Sequence, residues 1–241
     1  MTPGDGTSGR AVAPLSIAVV VPVRDGAATI AEALESVLAQ SVQPDEVVVV
    51  DNGSTDGTLE VISRFVPPAR VYEQPTAGAG PARNLGVAMT SAPWIAFLDA
   101  DDRWVPDALE RLAAPLAADP ALDVVLGRQR LVPARLWDAA LAGTVSERLE
   151  ERSGAGPGTA LVRRAVFDAA GGFAVGWQVG EFVDWHLRAV DRGARVVRVD
   201  DVVQWRRVHG ANTVMARRDA YGDYARIIKA ALDRRRTAGG G

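Results

Sequence analysis

Three carboxylates crowd into Asp99-Ala100-Asp101-Asp102, directly after the apolar run Trp94-Ile95-Ala96-Phe97-Leu98. A short apolar run of this kind fits a buried strand, and open α/β sheets place their ligands at the carboxyl ends of strands. Like charges this close repel one another unless a positive partner joins them. The partner that oxygen ligands select is a hard divalent cation, together with the phosphates such an ion carries. A second polar segment, Asp51-Asn52-Gly53-Ser54-Thr55-Asp56-Gly57-Thr58, also follows an apolar run and is dense in turn and N-cap residues. An Asp or Asn there can hydrogen-bond a base or a ribose. With Pro22-Val23-Arg24-Asp25, these segments would line one crevice suited to a nucleoside diphosphate.

The elements that must position these groups alternate. Residues 15–23 read as a strand buried on both faces. Thr29 and Glu32 have capping-box spacing, ahead of a helix with Ile30, Leu34, Val37 and Leu38 on one side. Residues 46–50 form a second strand, Leu59, Ile62, Phe65 and Val66 mark a helix, and residues 70–73 form a third strand. Pro81 suits the first turn of a helix carrying Leu85, Ala88 and Met89. With residues 94–98 as the fourth strand, the succession predicts an α/β fold whose mostly parallel, Rossmann-like sheet is flanked by helices. Pro106 opens a further helix with Leu109, Leu112 and Leu116 inward. Residues 122–126 read as a strand, whereas 128–158 show no firm period and are expected to shape the substrate site. A strand at 158–162 follows, then helices at 163–170 and 181–192 stopped by Gly171-Gly172 and Gly193, and strands at 194–199 and 202–206.

The 241 residues, 48% hydrophobic and 24% charged, suffice for one sizeable core. Thirty acids against 27 Lys and Arg give a net charge of −3, so no basic excess points to nucleic acid. Cysteine is absent, which excludes disulfides and thiolate metal sites. No apolar run approaches the roughly 18 to 20 residues that span a bilayer, and residues 1–14 lack the basic start and apolar segment of a signal peptide. They read as a disordered leader, and a cytoplasmic protein is expected. An amphipathic helix over 216–236 sets Tyr221, Tyr224, Ile227, Ile228 and Leu232 against several arginines, and residues 237–241 form a flexible tail. Its apolar face is expected to pack on the domain, with peripheral membrane contact as the alternative. No G-x-G-x-x-G follows the first strand, which argues against an NAD oxidoreductase, and Pro22-Val23-Arg24-Asp25-Gly26 is not the Gly-rich basic loop of a sugar-1-phosphate nucleotidyltransferase.

Four segments taken in order, Val19 to Asp25, Val50 to Thr58, Ala82-Arg83-Asn84-Leu85-Gly86 and Phe97 to Asp102, strongly resemble the family 2 glycosyltransferases. Weaker similarity continues through Gly171-Gly172-Phe173 and residues 181–188, so the resemblance covers roughly 17–213. It implies a GT-A fold, a nucleotide-sugar donor, Mn2+ or Mg2+, and inversion at the anomeric carbon. The acceptor hydroxyl belongs to a saccharide, lipid, peptide or metabolite that the sequence leaves open, as it does the oligomeric state. Residues 15–215 would form one domain, with a nucleotide-binding half at 15–103 and a looser acceptor-side half at 104–215. Asp99 and Asp101 match the DXD motif, the first acid touching ribose or metal-bound water and the last binding the metal, with Ala100 between them. Asp102 is assigned to capping the next helix. Pro22, Val23, Arg24 and Asp51 fall near the nucleotide. Asn52 takes the place of a second Asp that reads uracil in many members, so uridine is the expected base. Arg83 matches a position near phosphate or ribose, with a structural ion pair as its rival. His209 resembles the family's Arg-x-His segment, which supplies a metal or phosphate ligand, and Arg206 and Arg207 could hold the diphosphate.

The base that takes the acceptor proton is the open role. Many members open a helix with Glu-Asp, but in Gly180-Glu181-Phe182-Val183-Asp184 the usual Asp is Phe182. Inverting transfer needs a carboxylate there, so Glu181 or Asp184, one turn apart, is expected to serve, with an Asp184–Arg188 pair as the structural alternative. If neither serves, the chain is a nucleotide-sugar binding module or a degenerate transferase. His186 is read as packing or acceptor-facing.

Overall fold

Strand β1 (Ile17–Val23) is IAVVVPV with all seven residues buried, as expected of a β-branched run covered on both faces. The computed structural model describes residues 15–74, 78–154, 156–177, 179–209 and 221–238. The expected leader, the start of the C-terminal helix at 216–220 and the end of the tail at 239–241 lie outside the described residues. β1 pairs in parallel with β2 (Glu46–Asp51) and β4 (Trp94–Phe97), and β2 pairs in parallel with β3 (Ala69–Glu73). Three polar loops are thereby delivered to one sheet edge.

Beyond β4 the sheet changes character. It continues through β5 (Arg103–Trp104), β6 (Val124–Pro133), β7 (Glu150–Ser153), β8 (Ala160–Arg163) and β9 (Val196–Val208) in the overall order β3-β2-β1-β4-β8-β6-β9-β5, with β7 on β6. β8 is antiparallel to both β4 and β6, β5 is antiparallel to β9, and β6 and β9 are parallel. The sheet is therefore mixed, parallel in its first half and largely antiparallel in its second.

Helices cover both faces. Ile17, Val19 and Val21 pack in one core with α1 (Ile30–Leu38) and α4 (Ala108–Ala113), and β2 leads out to α2 (Thr58–Ser63). Val20 points to the other core, which holds Val87 of α3 (Ala79–Ala88), Phe167 of α7 (Arg164–Ala170), and Phe182 and Trp185 of α8 (Glu181–Asp191). Two short helices, α5 (Pro115–Ala118) and α6 (Trp137–Leu141), and the C-terminal α9 (Tyr221–Ala238) complete the described chain. Among the described residues no helix is long and apolar enough to cross a membrane.

Several local expectations yield to tertiary contacts. Thr29 makes no side-chain cap bond, and the expected capping box does not form, because Glu32 is drawn to Trp137 Nε1 at 2.6 Å and Arg207 Nη2 at 2.8 Å. The helix expected from Pro106 begins at Ala108, after Asp107. Phe65 and Val66 lie past the end of α2. The stretch without a readable period carries the outer half of β6, then α6 and β7. The two strands expected at 194–206 are one, β9, with a register shift against β6 between Leu126 and Arg128. A bulge there lets pairing resume, and Gly127 fits because a β-carbon would strike Val203. α9 runs through Thr237 and Ala238, two positions beyond the expected helix end.

Candidate active site

A cleft of about 590 Å3 opens along the edge where β1, β2 and β4 end. Pro22 to Asp25 line it from β1, Asn52 from β2, and Asp99 to Asp102 from β4, while Arg83, Glu181, Phe182, Arg206 and His209 close it from other elements. Carboxylate oxygens of Asp99, Asp101 and Asp102 lie within 4.8 Å of one another, and His209 Nε2 is 3.0 Å from Asp101 Oδ2. Asp102 is the buried member, 3% exposed. It does not cap α4. Its oxygens accept from Gln204 Nε2 and, at 2.9 Å, from the Arg207 backbone N–H, so it fastens the end of β9. Burial, then the charges of Asp101 and Asp99, push its carboxyl well above the ordinary aspartate range. A cluster in which negative charge is already resisted fits a divalent cation, whose charge relieves the repulsion and whose preferred ligands are oxygens.

The Asp51 to Thr58 loop is sewn to the exit of β1. Ser54 Oγ accepts from the Asp25 N–H at 2.9 Å, Asp25 Oδ1 accepts from the Thr55 N–H at 2.7 Å, Thr58 Oγ1 accepts from the Gly26 N–H at 2.8 Å, and Asp56 Oδ2 accepts from the Ala27 N–H at 3.1 Å. The polar spacing of this loop therefore satisfies backbone donors of the neighbouring loop. Asp51 itself is 2% exposed, with Oδ2 accepting from the Ser54 N–H at 3.1 Å. Its Oδ1 is buried and has no hydrogen-bond partner among the described residues, an acceptor whose burial has a cost until a ligand supplies a donor. Asp51 is not in the cleft lining, while Asn52 beside it is.

The Arg83-Asn84-Leu85-Gly86 segment has a three-part logic. Gly86 lets α3 lie on β1, since a β-carbon would overlap Val20. Asn84 clamps the turn after α7 from both sides, Nδ2 donating to Phe173 O at 2.8 Å and Oδ1 accepting from Phe173 N at 2.9 Å. Arg83 is buried and pairs with Asp99 and, at 2.6 Å, with Glu181 Oε1. Burial works against its charge, but the two carboxylates outweigh burial and hold the guanidinium above its ordinary value. Of the two readings of Arg83, the structure displays the ion pair, and that pair joins the acidic cluster to α8.

At the start of α8 the candidates part. Glu181 lines the cleft, whereas Asp184 is buried, is absent from the lining, and accepts from Arg188 Nε at 2.9 Å. Arg188 also donates to the carbonyls of Ala170 and Gly172, so Asp184 locks the α7–α8 corner. Phe182 packs with Phe173, Trp185 and His186. Arg206 and Arg207 are separated by strand alternation: Arg206 reaches the cleft, whereas the Arg207 guanidinium lies 4.1 Å over the Trp137 ring beside Glu32. Sequence reasoning missed Gln129, Gln204, Pro157, Gly158 and Tyr224, which also line the cleft. None of them carries a signal of its own in the sequence, since Gln129 stands between two arginines on β6 and Gln204 on a β9 rich in charged residues.

The family model described as Glycosyl transferase family 2 matches residues 18–172. The succinoglycan biosynthesis protein ExoU of Rhizobium meliloti is 32% identical over 212 residues, covering 77% of this chain and 60% of ExoU. The glycosyltransferase AglE of Haloferax volcanii is 29% identical over 199 residues, covering 78% and 65%. An uncharacterized glycosyltransferase of Escherichia coli, YibD, aligns over 45% of this chain and 32% of its own, so the chain spans from 32% to 65% of the length of these relatives. Among solved structures, Staphylococcus aureus TarS in complex with UDP superposes with a TM-score of 0.69 at 21% identity, covering 90% of this chain and 65% of that one. A Pyrobaculum calidifontis mannosyltransferase in complex with GDP-Man and Mn2+ gives 0.61 at 25% identity, covering 82% and 58%. The mixed sheet flanked by helices is the GT-A fold of these neighbours. A family match that takes in all four polar segments, and a fold shared with sugar-nucleotide enzymes, place this chain in glycosyltransferase family 2.

Proposed function

We propose that the chain is a metal-dependent, inverting transferase that moves a sugar from a nucleoside diphosphate, with uridine the expected base, to an acceptor hydroxyl. The observation that carries this reading is the meeting of Asp99, Asp101, Asp102 and His209 at the open end of three parallel strands. Asp101 and His209 would hold Mn2+ or Mg2+, and the ion would neutralise the diphosphate as it departs. Asn52 supplies hydrogen-bonding groups for the nucleoside and buried Asp51 holds the loop beside it through the Ser54 N–H, with Pro22, Val23 and Arg24 as the adjoining wall and Asp99 and Ala100 beneath the ribose. Structural neighbours in complex with UDP and with GDP-Man support a nucleoside diphosphate as the ligand class.

Glu181 is the base. It lines the cleft in the first turn of an 11-residue helix, whose N-terminus favours a carboxylate, and Arg83 holds its Oε1. Its Oε2 has no bond to a described residue and is the oxygen that takes the acceptor proton, while the acceptor oxygen displaces the diphosphate from the anomeric carbon. Asp184, spent on Arg188, positions the helix.

Phe182 favours a second reading, a binding module without turnover, because a buried aromatic stands where the family's base is usual. Calorimetry with UDP-sugars and GDP-sugars, with Mn2+ and with chelator, separates the two when run beside donor hydrolysis. Metal-dependent UDP binding with turnover that Glu181→Gln lowers about a hundredfold is expected. Binding with no turnover leaves the module, and no nucleotide binding at all refutes both.

A further inference from the structure

The C-terminal helix α9 reaches the site. Ile227 is fully buried, Val179 N–H donates to Asp223 Oδ2 at 3.4 Å, and the Arg226 guanidinium stands 5.5 Å from the centre of the Trp177 ring. The helix also lies against Gly180, φ 80°, where a β-carbon would meet Ile227 Cδ1 at 2.9 Å and Tyr224 Cε1 at 3.1 Å. The Tyr224 ring thus lies against the residue that precedes Glu181, and it lines the cleft together with Val179 and Glu181.

Charge separates this end of the cleft from the other. Among the described residues of the lining, the permanent cations are Arg24, Arg83 and Arg206. Arg24 follows β1 beside Asp25, and Arg206 lies near enough to Asp102 to act on its carboxyl. Among the described residues only Arg83 pairs with Glu181, and its two terminal nitrogens are committed to Glu181 and Asp99. Among the described residues of the lining, an anionic acceptor would therefore meet at the Glu181 carboxylate no cation beyond the already committed Arg83. A pyranose ring instead offers a C–H face to an aromatic side chain and a hydroxyl to a carboxylate. On the glycosyl-transfer reading above, we infer that Tyr224 is a specificity-determining residue of the acceptor subsite. The acceptor is an uncharged saccharide whose ring stacks on Tyr224 and whose hydroxyl meets Glu181.

The test uses the full chain and three forms, wild type, Tyr224→Phe and Tyr224→Ala. UDP and Mn2+ affinity is measured by calorimetry, and transfer from a panel of UDP-sugars is followed to p-nitrophenyl pyranosides and, as the anionic probe, to phosphoglycerate. Pyranosides are expected to accept sugar and phosphoglycerate to fail. Tyr224→Ala should raise the pyranoside KM about tenfold, the scale of one lost aromatic contact, Tyr224→Phe much less, and nucleotide affinity should stay within about twofold in both. An unchanged KM in Tyr224→Ala, a preference for phosphoglycerate, or wild-type nucleotide binding without transfer to any pyranoside overturns the inference. So does a fall in nucleotide affinity that matches the rise in KM, since the helix would then only support the fold. Failure of the wild type to bind any nucleotide is a different result, and it removes the transferase reading itself.

Discussion

The two walls of the cleft are made in different ways. On the donor wall the decisive contacts join loops that leave neighbouring parallel strands, as when Asp25 and Thr55, or Ala27 and Asp56, meet across the β1–β2 edge. On the opposite wall they join remote parts of the chain: Gln204 with Asp102, Arg83 with Glu181, and the Val179 N–H with Asp223. Parallel strands fix the height at which each loop begins, so the spacing of polar residues within one loop is enough to set its ligand geometry. The second wall depends on antiparallel returns and docked helices, where packing decides which residue arrives. On the proposed function, donor recognition is thus a local property of this chain and acceptor recognition a tertiary one.

Disabling the donor wall should produce the largest effect. Asp101→Asn keeps the shape of the side chain but removes charge from the cluster next to His209. Transfer is expected to fall about a thousandfold, roughly 4 kcal/mol, with metal-dependent UDP binding lost and the melting temperature nearly unchanged. Retained metal-dependent binding would take Asp101 out of the metal site. The link between the walls comes next. Arg83→Met leaves Glu181 and Asp99 without their buried partner, and stability measured by urea unfolding should drop by about 3 kcal/mol. Because Asp99 is partly exposed, water recovers some of that cost, and a loss below about 1 kcal/mol would mean that the walls are not coupled through this residue.

A paired comparison on α8 then sharpens the contrast. Glu181→Gln should lower kcat about a hundredfold with little change in donor affinity. Asp184→Asn should leave kcat within a few-fold and lower stability by about 1 to 2 kcal/mol, because Arg188 loses its charged partner while its two carbonyl contacts remain. Reversal of these two patterns would exchange the roles of the residues.

What could be read from the sequence follows the same division. The apolar runs of β1, β2 and β4 and the polar loops after them are visible because a buried strand and a strand-end loop each have a composition of their own. Gly180, Tyr224 and Gln129 carry no such mark, since their place in the cleft depends on how α9 and β6 dock. Glu32 and Asp102 show the opposite failure. Each has the spacing of a local cap, yet partners distant in sequence, Trp137 and Arg207 for the one and Gln204 and Arg207 for the other, take their oxygens. Local capping adds about 1 kcal/mol, less than charge-assisted bonds to a buried carboxylate can, and the longer-range partner wins.

The smallest expected effect lies on α8 behind the acceptor wall. His186 stacks on Phe182, with ring centroids 6.1 Å apart, and its Nδ1 is buried without a partner among the described residues. Burial, and then the positive charge of Arg198, lower its pKa below the ordinary 6.5. The unfolded chain therefore binds a proton more readily than the folded one in the window just below 6.5. Stability from this residue is complete above that value and is lost as pH falls through the lowered folded value. Urea unfolding at steps between about pH 5 and pH 8 should show the wild type weakening toward acid more than His186→Gln does, with the two curves parallel above about pH 7. Nucleotide affinity at pH 7.5 should be the same in both, because His186 is not among the residues that line the cleft. Parallel stability curves over the whole range would mean that His186 is as well solvated folded as unfolded, and that the aromatic layer under Glu181 is looser than its packing implies.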